Sequence, residues 1–213
     1  MKKIIAVNGS ARENGNTAQL LQSALRGAAD AGAETRLVHL GGLNFSGCRS
    51  CFACKRLETG DKCRCYWPDD LSPVLDALLQ ADAVLLGSPI YFGDVSGMMR
   101  CFLERLSFIT LSYHHPMTPL FKGSIDGAFF FTMNEPESAL AYYDGVLQQN
   151  FGLLKRLGGE CELHCSCFTV QFDGYGRYHT STEQEAARLA HRETQFAKEL
   201  RQAYEVGQRL AQK

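Results

Sequence analysis

Residues 4–20 are IIAVNGSARENGNTAQL, and this stretch decides the fold. Its first four residues are apolar and partly β-branched, as in a buried strand, whereas Thr17 opens a helical spacing of apolar residues. Asn14, Asn16 and Thr17 can cap the first helical turn. A helix that starts behind a strand presents unpaired N–H groups and the positive end of its dipole. We therefore predict an anion-binding site in the loop between them.

The glycine spacing in this loop limits which kind of phosphate group the loop can bind. A nucleoside triphosphate loop has four residues between its glycines and then a lysine, but five residues separate Gly9 from Gly15, and Asn16 takes the lysine position. The three-glycine dinucleotide fingerprint also fails, because Ala11 stands in the place of its second glycine. The loop is therefore predicted to bind one terminal phosphate, as in a mononucleotide. The alternative is an ordinary strand-to-helix turn. The residues predicted to bind it are Ser10, Arg12, Asn14, Gly15, Asn16 and Thr17.

Strand and helix patterns alternate five times along the chain, which predicts an α/β fold. Apolar or alternating runs place the strands at 4–7, 34–40, 83–87, 125–131 and 161–170. Right-handed crossovers then favour a doubly wound, five-stranded parallel sheet of order 2-1-3-4-5, with helices on both faces. We expect one domain over 1–213, with a cysteine-rich excursion at about 41–68 and a C-terminal helix at about 182–212.

The exit of the third predicted strand lies across the crevice from the first loop, because the strand order switches direction between strands 1 and 3. Pro89 restrains this exit and Gly93 lets it turn, while Tyr91 and Phe92 offer aromatic faces to a flat heterocycle. The alternative is that these aromatics belong to the core or to an interface. Asn134 and its neighbours, at the end of the fourth strand, would close the third side. The predicted ring-binding residues are Ser88, Pro89, Ile90, Tyr91, Phe92, Gly93 and Asn134.

Composition excludes several classes of protein. The chain has 213 residues, 45% of them hydrophobic and 21% charged, which suits one domain with a sizeable core. A formal net charge of −1 without a basic stripe argues against nucleic-acid binding. No apolar run approaches the roughly 18–20 residues that span a membrane, and the N-terminus has no signal-peptide pattern. We expect a soluble, cytoplasmic protein.

Nine cysteines are then expected to be reduced thiols or metal ligands. Cys48, Cys51 and Cys54 have the two-residue spacing of ferredoxin-type ligands, so a 4Fe–4S cluster on these three and Cys63 is one interpretation. Eight residues separate Cys54 from Cys63, and zinc, free thiols or a redox-active pair remain as alternatives. We favour no metal. Three later cysteines share one strand face and are interpreted as small buried apolar residues: Cys161, Cys165 and Cys167.

Four segments together carry a family resemblance: residues 9–17, the cysteine row from 48 to 70, the strand exit at 87–92, and residues 171–175. They resemble the NAD(P)H-dependent FMN reductase and iron-sulfur flavoprotein group of the flavodoxin-like superfamily, over 3 to about 180. The resemblance implies a flavodoxin-like fold and FMN, bound through its phosphate at 10–17 and its isoalloxazine at 89–93. It also implies a homodimer or homotetramer, with 172–178 near the contact.

The resemblance favours an FMN-dependent oxidoreductase that takes hydride from NAD(P)H and passes electrons to a small acceptor such as a quinone or a flavin. No general base is nominated, since hydride and electron transfer belong to the cofactor. His114 and His115 are candidate substrate contacts in the connection after the third helix. The alternatives are an iron-sulfur flavoprotein electron carrier with a 4Fe–4S cluster, and a non-catalytic flavin-binding redox sensor.

Overall fold

A computed structural model describes residues 1–60, 62–112 and 119–213. Its sheet has the order β2-β1-β3-β5-β6, in which every neighbouring pair is parallel, and a short β4 pairs antiparallel with β3. The strands are β1 (Lys3–Asn8), β2 (Glu34–His39), β3 (Ala83–Tyr91), β4 (Asp94–Val95), β5 (Ile125–Thr132) and β6 (Gly158–Ser166).

The five parallel strands follow the predicted spatial order, but the predicted number of strands is wrong because of β4. Strand β3 continues past Gly87 to Tyr91 and then turns back through Phe92 and Gly93, whose φ angles are +49° and +87°. Tyr91 then pairs with Asp94 across the turn. A strand of two residues has no periodicity that the sequence could reveal.

Helices cover both faces of the sheet. They are α1 (Asn16–Asp30), α2 (Leu71–Leu78), α3 (Gly97–Thr110), α4 (Leu140–Lys155), α5 (Glu185–His191) and α6 (Ala197–Gln212), with a π-helical turn at Arg192–Phe196 between the last two. Ile4 and Ala6 of β1 pack on the face of α1 and α6, whereas Ile5 and Val7 pack on the opposite face. This alternation is the period of two that a strand buried on both faces requires.

Helices α1 and α6 approach each other so closely that their backbones touch. A Cβ atom at Gly27 would lie 2.0 Å from the carbonyl oxygen of Tyr204, and one at Gly207 would lie 1.8 Å from that of Ala24. Only glycine fits at these two crossing points. In the part of the chain that the structure describes, no helix is both long and apolar enough to cross a bilayer.

Candidate functional site

A crevice of about 130 Å³ opens at the carboxyl ends of β1, β3 and β5, where ligands bind in open parallel sheets. Its walls come from the two predicted loops and from two segments that follow β5 and β6. The lining residues are Ser10, Arg12, Gly15, Asn16, Thr17, Pro89, Ile90, Tyr91, Thr132, Met133, Asn134, Thr169 and Gln171.

The loop between β1 and α1 is held by its own hydrogen bonds. The N–H of Ser10 donates to Asn8 Oδ1 at 3.0 Å, and its hydroxyl accepts from the N–H of Arg12 at 3.1 Å. Gly15 is the N-cap of α1 and makes no side-chain cap hydrogen bond. The expectation that Asn14, Asn16 or Thr17 caps the helix is therefore wrong. The backbone N–H groups of the first turn therefore remain available to donate hydrogen bonds to an anion in the crevice.

Side chains of this loop and of the first turn of α1 reach across the crevice. Thr17 Oγ1 lies 2.8 Å from Thr132 Oγ1 on β5. Asn16 Nδ2 donates to the carbonyl of Val170 at 2.9 Å, and Arg12 Nη1 donates to the carbonyl of Gln171. The segment after β6 is thus tied over the start of α1 as a third wall.

The β3–β4 hairpin contributes less of the crevice than the sequence predicts. Pro89, Ile90 and Tyr91 line it, but Ser88 is fully buried, accepting from the N–H of Ser96 at 3.0 Å and donating to the carbonyl of Pro89 at 2.9 Å. Phe92 lies at the tip of the turn and is completely exposed. The predicted residues outside the lining are Asn14, Ser88, Phe92 and Gly93.

Four lining residues are not named among the predicted site residues: Thr132, Met133, Thr169 and Gln171. The signal for the first two was available, because they follow the fourth predicted strand directly beside Asn134. Asn134 does line the crevice, and its carbonyl accepts from Arg188 Nη1 at 3.0 Å. His114 and His115 lie outside the described residues.

Asp94 anchors the β3–β4 hairpin to two helices. Arg100 Nη2 donates to both of its carboxylate oxygens, at 2.6 and 2.7 Å, and Asn150 Nδ2 donates at 3.1 Å. Asn150 is fully buried in α4. Burial raises the pKa of Asp94, but hydrogen bonds from Arg100, the N–H of Val95 and Asn150 outweigh it and lower that pKa below its usual value.

This network predicts an acid-dependent loss of stability. Because the pKa of Asp94 is lower in the folded state, its contribution is fully present above the unfolded pKa of about 3.9 and is lost as the pH falls further, through the folded pKa. Urea unfolding between pH 5 and pH 3 is expected to show a smaller loss of unfolding free energy in Asp94→Asn than in wild type. Equal losses in the two proteins would contradict the role of Asp94.

A second, smaller cavity of about 20 Å³ lies beside α3 and collects four cysteines. Its lining includes Cys48, Cys51, Cys54 and Cys65, but not Cys63. Cys63 is buried in the core cluster, with a φ angle of +47°. Cys63, the fourth ligand in the cluster interpretation, therefore does not line this cavity, and its role as a ligand stays a prediction.

The four thiols are spread around this cavity. Among the described residues, no three His, Cys, Asp or Glu side chains are arranged to hold a single metal ion. Burial raises the pKa of Cys54, and the neighbouring thiols add to that effect although Lys55 opposes it. All nine cysteines lie in the described segments, and none is in a disulfide.

The cysteines of β6 and of the residue that follows it have a different environment. Cys167 is buried, and Cys161 and Cys165 are half-buried against the core. Burial raises the pKa of Cys161 to about 11, of Cys165 to about 12 and of Cys167 to about 11. These thiols stay protonated at neutral pH and pack as small apolar groups.

Comparison with known proteins assigns the family. The chain matches the NADPH-dependent FMN reductase family over residues 2–139. An iron-sulfur flavoprotein of Archaeoglobus fulgidus is 30% identical over 148 residues, which cover 68% of this chain and 62% of that protein. An iron-sulfur flavoprotein of Methanocaldococcus jannaschii is 37% identical over 103 residues, or 48% of this chain and 51% of that one. The chain thus spans 51% and 62% of these relatives' lengths.

Solved structures support the fold. The NAD(P)H:quinone oxidoreductase from Methanothermobacter marburgensis superimposes with a TM-score of 0.67 at 13% identity, covering 98% of this chain and 96% of that one. An azoreductase from Bacillus anthracis gives a TM-score of 0.67 at 14% identity, covering 98% and 100%. The resemblance found in the sequence is confirmed: the chain belongs to the NADPH-dependent FMN reductase family and has a flavodoxin-like fold.

Proposed function

We propose that this protein is an FMN-dependent oxidoreductase that takes hydride from NAD(P)H and passes electrons to a small acceptor such as a quinone or a flavin. The observation that carries the proposal is the crevice itself. It joins an uncapped helix N-terminus to an aromatic strand end at the point where the strand order reverses. Membership of the FMN reductase family supports the same cofactor.

The residues present fit FMN in their chemistry. The first turn of α1 offers N–H donors, and Ser10 and Thr17 add hydroxyl groups that are buried in the same wall. Arg12 is exposed and lines the crevice, where a charge-assisted hydrogen bond to a phosphate is favourable. On the opposite side, the strand end from Pro89 to Tyr91 supplies a rigid apolar and aromatic surface for a flat ring.

Bound FMN supplies the hydride and electron chemistry, and the protein holds and orients it. The Asp94 network fixes the hairpin that carries Tyr91, so the proposed ring-binding wall is rigid before a ligand arrives. Tyr91 is 44% exposed, which leaves room for a second planar molecule at the mouth of the crevice. Two substrates that use this mouth in turn would give ping-pong kinetics.

The proposal predicts that NADPH or NADH will bleach the visible flavin absorbance of the FMN-loaded protein when they are mixed without oxygen. Adding a quinone or free flavin afterwards is expected to restore the absorbance in one turnover. Stopped-flow spectroscopy measures both phases, and free FMN under the same conditions is the control. A protein that binds FMN but is bleached by neither nucleotide would instead be an electron carrier or a redox sensor.

One observation favours a second cofactor. The structure gathers Cys48, Cys51, Cys54 and Cys65 at one cavity, and four thiolates are the ligand set of a 4Fe–4S cluster. The donors fit such a cluster better than a single ion, because each thiolate of a cubane binds a different iron atom. Iron and acid-labile sulfide, measured on the anaerobically purified protein, test it.

A further inference from the structure

Arg105 is a charged residue of α3 whose side chain is only 2% exposed. Its guanidinium group donates to four partners. Nη1 donates to Asp69 Oδ2 at 2.5 Å and to the carbonyl of Ser46 at 3.3 Å. Nη2 donates to Ser72 Oγ at 2.7 Å and to Cys65 Sγ at 3.1 Å. One side chain therefore joins the beginning of the cysteine segment, its end, and the first turn of α2.

The cysteine segment, residues 43–67, has little regular structure with which to place its own thiols. Its described residues, 43–60 and 62–67, contain two short 3-10 turns, Ala53–Lys55 and Leu57–Thr59. Ser50 and Phe52 have φ angles of +53° and +55°, which are uncommon for residues other than glycine. The positions of the thiols must therefore come from contacts with the rest of the domain.

Those contacts come from α3 and the residue that follows it. Glu104 Oε2 accepts from the N–H of Cys48 at 3.3 Å, and Lys55 Nζ donates to the carbonyl of Leu111 at 2.6 Å. Lys55 Nζ donates to the carbonyl of Ile109 as well, at 3.4 Å, so Glu104 and Lys55 each hold one point of the segment. Only the guanidinium of Arg105, among these three side chains, holds both ends of the segment together.

The charge of Arg105 is well compensated. Burial raises the pKa of Asp69, but the hydrogen bond and charge of Arg105 and the N–H groups of Ser72 and Leu71 outweigh it and lower that pKa. Asp69 is therefore a carboxylate at neutral pH. The Nε atom of Arg105 is buried and has no partner among the described residues, so the guanidinium keeps one donor beside the thiol cavity. The positively charged guanidinium of Arg105, with its hydrogen-bond donors, would stabilise negatively charged thiolates in this cavity.

We infer that Arg105 is the positioning residue that assembles Cys48, Cys51, Cys54 and Cys65 into one ligand pocket, with Cys65 as its fourth ligand. The ligand assignment rests on the second cofactor proposed above, whereas the positioning role applies to the metal-free protein as well. The hydrogen bond from Arg105 to Cys65 sulfur would also raise the reduction potential of a cluster held there, because it would stabilise the added negative charge. Lysine at this position would keep the positive charge but not the forked set of donors that reaches both Cys65 and Ser46.

The positioning role is tested on reduced, metal-free protein. Each cysteine is alkylated with iodoacetamide, and the rates are measured by mass spectrometry. In Arg105→Gln we expect Cys54 and Cys65 to react at least about tenfold faster, as a loosened segment opens more often, with little change at the exposed Cys48. Arg64→Gln, which breaks an exposed ion pair with Asp76 in the same region, is the matched control. Unchanged rates in Arg105→Gln would overturn the inference.

The ligand assignment is tested by reconstitution with iron and sulfide. Cys65→Ser is expected to lose stoichiometric iron, and Cys63→Ser is expected to keep it; the reverse result would overturn the assignment. Arg105→Lys, which keeps the charge, is expected to bind iron with a lower midpoint potential, and an unchanged potential would contradict the role of the sulfur hydrogen bond. Wild type that takes up no iron would overturn the cluster assignment alone, because the alkylation rates decide the positioning role separately.

Discussion

FMN is expected to bind about one hundred to ten thousand times more weakly when Ser10 and Thr17 are both replaced by alanine. Each hydroxyl is buried in the crevice wall beside the open N-terminus of α1. A hydrogen bond to a charged group contributes roughly 1.5–3 kcal/mol, and every 1.4 kcal/mol is a factor of about ten in affinity. Fluorescence titration of FMN against the apoprotein measures the change directly.

Two controls separate loss of phosphate donors from loss of fold. Ser181→Ala with Thr182→Ala removes the same chemical groups from exposed positions outside the crevice lining, and unchanged affinity is expected. Riboflavin lacks the phosphate, so its affinity is expected to change far less than that of FMN in the Ser10 and Thr17 variant. FMN affinity equal to wild type in that variant would refute the phosphate assignment at this loop.

Much of the fold follows from the sequence because the three central parallel strands, β1, β3 and β5, are buried on both faces. Runs such as 83–87 and 128–131 must then be apolar, and the right-handed crossover rule favours the strand order that the structure shows. What the sequence does not reveal is how far β3 extends. Pro89 is compatible with an extended strand and with a loop. Only the pairing of Ile90 with Val95 of β4 therefore shows that Ile90 belongs to a strand.

The candidate site was only partly predictable for a similar reason. The position of a residue at a strand exit or a helix start, such as that of Thr17, identifies it as a candidate site residue. It does not reveal the direction in which the side chain points. Ser88 and Pro89 are neighbours, yet one is fully buried in hydrogen bonds to the backbone and the other lines the crevice. Gln171 closes the crevice through a contact more than 150 residues distant in sequence, and no local pattern reports such a contact.

Cys63 and Cys65 show the same limit in the thiol pocket. They lie two residues apart, and their spacing from Cys54 does not decide which of them joins it. The structure decides through the backbone: a left-handed conformation at Cys63 accompanies its burial in the core, while Arg105 holds Cys65 at the cavity. Spacing therefore identified the segment, whereas a tertiary contact places Cys65 rather than Cys63 at the cavity.

Gly207→Ala is expected to destabilise the protein by about 3 kcal/mol or more, at the upper end of the cost of overpacking. The new Cβ would lie 1.8 Å from the carbonyl oxygen of Ala24 and 3.0 Å from the N–H nitrogen of Ala28. Both obstacles are backbone atoms of α1, which no rotamer change can move aside. Urea unfolding, followed by circular dichroism, measures the free energy of unfolding.

Gly152→Ala is the matched control, because Gly152 also lies in a helix but has no atom within 4 Å of its added Cβ. It is expected to stabilise the protein by roughly 0.5–1 kcal/mol through helix propensity. Equal stability of the two variants would mean that α1 and α6 are further apart than the structure places them. Helix α1 carries the proposed phosphate site at its other end, so FMN affinity shows which helix moves in Gly207→Ala. Affinity is retained if α6 shifts and falls if α1 does.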